Sequence, residues 1–151
     1  MNPKKVVIAV SLKKLDQKPL EKLKKSEWLE GAEIHLVHVI ETVAYGVDLS
    51  PLLFPQESEY PKIRKEVIKE LELLGKKLFP NTGRPKVITK CLFDYSANDA
   101  FCDYSKQMKA DLIIVATRGK KGIKGFFDSS FARYMSKYAP ADLMILRSNT
   151  K

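Results

Sequence analysis

A chain of 151 residues matches the size of one domain and is long enough to bury about 70% of its unfolded surface. Hydrophobic residues make up 44% and charged residues 30%, with seven glycines and eight prolines, which excludes collagen-like, low-complexity and disordered chains. Lys and Arg outnumber Asp and Glu by 27 to 18, and the net charge of +9 points to an acidic partner: a phosphate, a nucleic acid or an anionic membrane.

Val6 to Val10 is a continuous apolar, β-branched run, as in a strand buried on both faces of a parallel sheet. The run to Leu12 holds six apolar residues and one Ser, too short for a signal-peptide core with its cleavage site or for a membrane span, so the cytoplasm is the expected compartment. Pro19 suits the first turn of a helix that places Leu20, Leu23 and Trp28 or Leu29 inward and ends near Gly31. Glu33 to Ile40 reads as the second strand. Residues 42–60 mix Gly46, Pro51 and Pro55 with Leu49, Leu52, Leu53 and Phe54, which reads as a long ordered loop or partial helix. Ile63, Val67, Leu71, Leu74 and Leu78 follow steps of 4, 4, 3 and 4 and define a helix over 61–79. A third strand spans 87–92, and Ala97, Ala100, Phe101, Tyr104 and Met108 mark a helix within 95–108. Asp111 to Ala116 is a buried strand, 117–125 a loop rich in Gly and Lys, 127–138 a fourth helix and 143–146 a fifth strand.

This alternation with right-handed crossovers gives one domain over 1–151: an α/β three-layer open sandwich, its five-stranded parallel sheet ordered 3-2-1-4-5 with helices on both faces. Ligands of such sheets bind at the carboxyl ends of the strands where the strand order reverses, here between strands one and four. The loops after Val10 and Ala116 line that crevice.

The stretch from Ala116 to Ser130 combines three glycines, Arg118, Lys120, Lys121 and Lys124, and the hydroxyls of Ser129 and Ser130 in front of a helix. Glycines admit close backbone approach, and the free N–H groups and positive dipole end of a helix favour an anion. The loop alone fits equally well a surface loop whose helix is capped by Asp128 or Ser129.

On these residues the chain resembles the universal stress protein family, through residues 4–10, 34–40 and 111–146. The resemblance implies a Rossmann-like adenine nucleotide alpha hydrolase-like fold and a nucleotide motif G-x2-G-x9-G-[S/T], which falls on Ala116, Gly119, Ser129 and Ser130 with its spacing intact and two of three glycines replaced. Ser129 at a helix start caps as well as Gly or better, while the Ala116 methyl is tolerated at negative φ and strained at positive φ. Ser11 stands where nucleotide-binding members carry an Asp, which removes a strong acceptor, and Asp128 competes for the anion site. The implied ligand is ATP or another adenine nucleotide, with Mg only alongside it. The implied contacts are Ala9, Val10, Ser11, Val39, Val115, Ala116, Arg118, Gly119, Ser129, Ser130 and Phe131: adenine against Ala9, Val10 and Val39, phosphates toward Gly119, Ser129 and Ser130. The family also implies a homodimer through the last strand, Leu143 to Arg147, against the simpler reading of an edge blunted by Arg147 and Lys151.

His35 and His38, three apart in a strand, point to opposite faces and share no metal, and Cys91 and Cys102 match neither C-x-x-C nor a zinc spacing. No catalytic grouping emerges, so at most a weak ATPase is expected. The functional expectation is a stress-type regulatory homodimer that binds an adenine nucleotide without significant turnover. The alternatives are the same fold with a decayed site acting as a dimeric interaction module and, on charge alone, a non-specific nucleic-acid binder; no membrane partner is expected. From Arg118 to Lys151 eight cations face Asp128 and Asp142, so this stretch holds six of the nine net positive charges. That clustering favours a small phosphate ligand near Gly119 over a chain-wide nucleic-acid surface.

Overall fold

The computed structural model describes residues 2–42, 55–81, 84–117 and 130–147. Five parallel strands, β1 (Lys5–Ala9), β2 (Glu33–Glu41), β3 (Lys86–Asp94), β4 (Leu112–Thr117) and β5 (Asp142–Arg147), lie in the order β3-β2-β1-β4-β5. The apolar runs account for their places. Every residue of β4 and all of β1 after Lys5 are buried, as strands covered on both faces must be, whereas β3 and β5 keep exposed residues and take the two edges.

Alternation along the strands separates two core layers. Val6, Ile8, Val10, Leu112 and Ile114 share one layer with Leu20, Leu23 and Leu29 of the segment after β1 and with α2 (Tyr60–Leu78), which packs on β2 and β3 and whose Val67, Leu71, Leu74 and Leu78 are the buried stripe read from the sequence. Val7, Ala9, Val37, Ile113 and Val115 face α3 (Ala97–Gln107) and α4 (Ser130–Tyr138), through Phe101, Tyr104, Phe131 and Met135. The Asp111 carboxylate accepts from the backbone N–H groups of Lys4 and Lys5 at 3.0 and 2.9 Å, joining the starts of β1 and β4.

The segment after β1 departs from the expected single helix. A four-residue turn, α1 (Lys14–Gln17), leads into 3-10 helix over Lys18–Lys25 and again over Glu27–Leu29. The buried leucines fit it: Leu20 and Leu23 lie three apart, which a 3-10 helix with three residues per turn keeps on one side, and Leu29 is buried from the second 3-10 turn, after the break at Ser26. Pro19 takes the first turn of that segment. At the other end of the long loop, Glu57–Glu59 forms a single 3-10 turn that runs straight into α2; residues 43–54 lie outside the described residues.

Candidate functional site

Burial of a polar side chain is costly unless the group is bonded, so the places where it occurs are informative. Among the described residues the buried polar side chains are Ser11, Asp16, His35, Ser105 and Thr117. Ser105 donates to the carbonyl of Phe101 in its own helix, and His35 bonds Tyr104 and Glu33. The other three gather at the carboxyl ends of β1 and β4. The β1–β4 ladder runs to Ile8 opposite Ile114, and three residues further along each chain come Ser11 and Thr117. Asp16 belongs to α1, which packs against β4.

The turn after β1 is tied to itself. The Ser11 hydroxyl donates to the Asp16 carboxylate at 2.9 Å, the N–H of Lys13 donates to Ser11 Oγ at 3.3 Å, and the Gln17 amide donates to the Ser11 carbonyl at 2.9 Å. A carboxylate only 4% exposed thus stands directly behind Ser11. Buried polar groups gathered where an open α/β sheet binds its ligands mark a candidate site.

Beside this turn lies an apolar cleft walled by Ala9, Val10, Val37, His38, Val39, Ala97, Phe101 and Phe131. Its volume is about 20 Å³, room for about one water. Phe101 and Phe131 meet edge to face with ring centres 5.6 Å apart. His38 Nδ1 lies 2.7 Å from the Val10 carbonyl, which only accepts, so Nδ1 carries the proton and Nε2 keeps its lone pair. Burial pushes the His38 imidazole below its ordinary pKa of 6.5, partly offset by the bond to Val10, so the ring is neutral at pH 7.

Of the residues expected at the site, Ala9, Val10, Val39 and Phe131 share this cleft, with Ser11 next in the chain. Val115 and Ala116 are fully buried with side chains in opposite core layers, and neither lines the cleft. Ala116 pairs with Leu146 inside β4, and Lys109 is the one non-glycine residue at positive φ among the described residues, so the Ala116 methyl carries no backbone strain. Ser130 is exposed at the first position of α4. Arg118, Gly119 and Ser129, with the neighbouring lysines and Asp128, lie outside the described residues.

The sequence allows His38, near the end of its strand, a place by the crevice beside the simpler structural role, but gives no sign of Asp16 there. Asp16 sits in a run of lysines that looks like a solvated face, and only the α1 turn brings it back onto Ser11. The His38 contact depends on the pairing of β2 with β1, which no local pattern reveals. The histidines do not share a partner, and Cys91 and Cys102 are free thiols that burial pushes up to about 11.

The model of the universal stress protein family matches residues 2–147. This chain belongs to that family. No curated protein sequence matches it. Among solved structures it is similar to a hypothetical protein, PH0823, at 20% identity and a TM-score of 0.72, with 98% of each chain covered. A universal stress protein family protein from Arabidopsis thaliana with AMP bound matches at 14% identity and a TM-score of 0.60, covering 98% of this chain and 94% of that one. The universal stress protein from Archaeoglobus fulgidus in complex with dAMP matches at 15% identity and 0.61, covering 97% and 99%. Likeness at these identities carries the fold, and the fold agrees with the strand order seen here.

Proposed function

We propose that this universal stress protein binds an adenine nucleotide, such as AMP, ADP or ATP, in the crevice between β1 and β4 and acts as a regulatory homodimer without significant turnover. The observation that carries the reading is the cluster of Ser11, Asp16 and Thr117, buried at the strand-order reversal beside an apolar cleft. Family members with AMP and dAMP supply the ligand class. Adenine would lie against Ala9, Val10 and Val39, with the phosphates toward Gly119, Ser129 and Ser130 and Arg118 alongside. Val115 and Ala116 would back the site through their main chain. Mg would enter only with a bound nucleotide, and hydrolysis would be at most that of a weak ATPase.

Ligand identification by mass spectrometry of the purified protein and thermal shift with AMP, ADP, ATP and cyclic AMP test this. A ligand at 100 times its Kd stabilises the fold by about 2.7 kcal/mol, a shift that is easily read. Gly119→Val should abolish it. Absence of both bound ligand and shift at millimolar nucleotide would remove the proposal.

One observation favours a second reading, in which the site has decayed and the protein is a dimeric interaction module. The cleft of about 20 Å³ is too small for an adenine ring, so binding requires its walls to part. Phe131→Ala separates the two: widening the cleft raises affinity if the ring enters there and leaves a decayed site silent.

A further inference from the structure

A second basic stretch of the chain lies away from the crevice. Residues 61–90 hold nine cations against Glu66, Glu70 and Glu72. They form most of α2 and the first half of β3, the edge strand that pairs with β2 on one side only. Every residue of β3 except Cys91 reaches solvent, so its free side keeps main-chain donors and acceptors with no strand partner among the described residues. Two open clefts run alongside. One, of about 480 Å³, lies between α2 and β3, where Gly75, Lys76 and Phe79 meet Val87 and Thr89. The other, of about 590 Å³, continues along α2 past Arg64, Ile68 and Lys69, and Glu72 lines both. These helix positions recur every three or four residues, so both clefts share one face of α2. From 61 to 79 that face runs for about 27 Å, the length of about eight residues of strand.

Alternation along β3 sorts its side chains. Val87, Cys91 and Phe93 join the layer on the α2 side and Thr89 lines the cleft there, whereas Lys86 and Lys90 stand on the opposite face. Lys86 Nζ lies 3.6 Å from Glu33 Oε2 with its side chain 70% exposed, and among the described residues no ion pair ties Lys69, Lys76 or Lys90. We propose that β3 and α2 together dock an extended acidic segment of a partner protein, which adds to the sheet as a sixth strand. Main-chain bonds to the free edge supply the affinity and side chains supply the choice. Residues four apart on the added strand fall on one face, where carboxylates meet Lys86 and Lys90. The residues between turn toward the clefts along α2, rimmed by Lys69 and Lys76. The pattern that fits is acid, apolar, any, apolar, acid. A second copy of β3 would set lysine against lysine, which opposes pairing. A nucleic-acid strand needs open aromatic faces, but Tyr60 and Phe93 are stacked on each other at 4.1 Å and Arg64 lies over Phe93 at 5.0 Å. The crevice between β1 and β4 lies across β2 from this edge, so the docking is independent of the nucleotide reading.

Fluorescence anisotropy with the full chain and the labelled peptide STEVTVETS tests this. The native protein should bind it with a Kd below about 100 µM, and salt should weaken the complex. Lysine in place of both glutamates should cost at least about tenfold. So should two prolines in place of the central valine and threonine, which remove an N–H facing β3 in either register. Bound peptide should slow hydrogen exchange of the β3 amides and leave those of β5 unchanged. Lys90 is exposed, so Lys90→Glu keeps the fold, and its affinity for the peptide should fall about tenfold. One of the two peptides with a single lysine for glutamate, STKVTVETS or STEVTVKTS, should recover that loss, and which one does so reveals the direction of the added strand. No binding to the native chain, equal binding of the double-lysine or proline peptide, or no recovery in Lys90→Glu overturns the docking. Tighter binding of a short oligothymidylate at about 150 mM salt overturns it in favour of nucleic acid. A dimer that Lys90→Glu dissociates overturns it in favour of a second copy.

Discussion

His35 is gripped from both sides, with Nδ1 2.6 Å from the Tyr104 hydroxyl and Nε2 2.8 Å from the Glu33 carboxylate. Only 2% of its surface is exposed, so each bond replaces water that cannot reach the ring. Removing one partner should cost the desolvation of the orphaned nitrogen: Tyr104→Phe is expected to lower unfolding stability by about 1–3 kcal/mol in urea titration. His38 contributes through pH instead. Its pKa is depressed in the folded chain by burial, while the unfolded chain takes up a proton near 6.5. The stabilisation is therefore complete above that value and is lost as pH falls through the lower, folded-state pKa. A denaturation midpoint measured from pH 8 to pH 5 should fall less steeply in His38→Asn than in the native protein. Neither partner set was legible in the sequence. A histidine pattern indicates which face a ring takes, but the Val10 carbonyl and the Tyr104 hydroxyl are 28 and 69 residues away from their partners.

Periodicity carried most of the element boundaries, and its one failure is instructive. The α2 stripe was read correctly because steps of three and four fit only a helix of 3.6 residues per turn. After β1 the helix of Leu20 and Leu23 offers a single interval of three, which suits a 3-10 helix as well as an α-helix, and Leu29 follows only after the break at Ser26. Two elements also depend on one backbone position each. Gly75 brings α2 close to the sheet: a Cβ there would meet Val87 Cγ1 at 3.2 Å and Leu36 Cδ1 at 3.4 Å. The helix propensity gained by Gly75→Ala should roughly offset that tightness, leaving stability within about 1 kcal/mol of native, while Gly75→Leu should lose about 1–3 kcal/mol by overpacking. Lys109 ends α3 at φ 55, a conformation that glycine adopts at no steric cost. Lys109→Gly is expected to raise stability by about 1 kcal/mol, read as a higher thermal midpoint.

At the scale of the molecule, both edges of a parallel sheet have unpaired backbone groups that can recruit another chain. They are not equivalent. The exposed positions of β3 are Lys86 and Lys90, and lysines on an edge oppose strand pairing. On β5 the exposed positions include Ile145 at 41%, flanked by the half-buried Met144 and Leu146. An apolar edge strand of this kind is a liability in a monomer and an interface in an oligomer, which supports a two-fold dimer through residues 143–147. Such a contact is self-complementary, so one substitution acts twice in every dimer. Sedimentation of the native chain at micromolar concentration should give the mass of a dimer. Ile145→Lys should give a monomer with an unchanged far-ultraviolet circular dichroism spectrum, because the residue reaches solvent and its loss opens no cavity. The opposite substitution at the other edge, Lys90→Glu, should leave the dimer intact. A monomeric native chain would remove the interface altogether, and a dimer that survives Ile145→Lys but dissociates in Lys90→Glu would move it to β3.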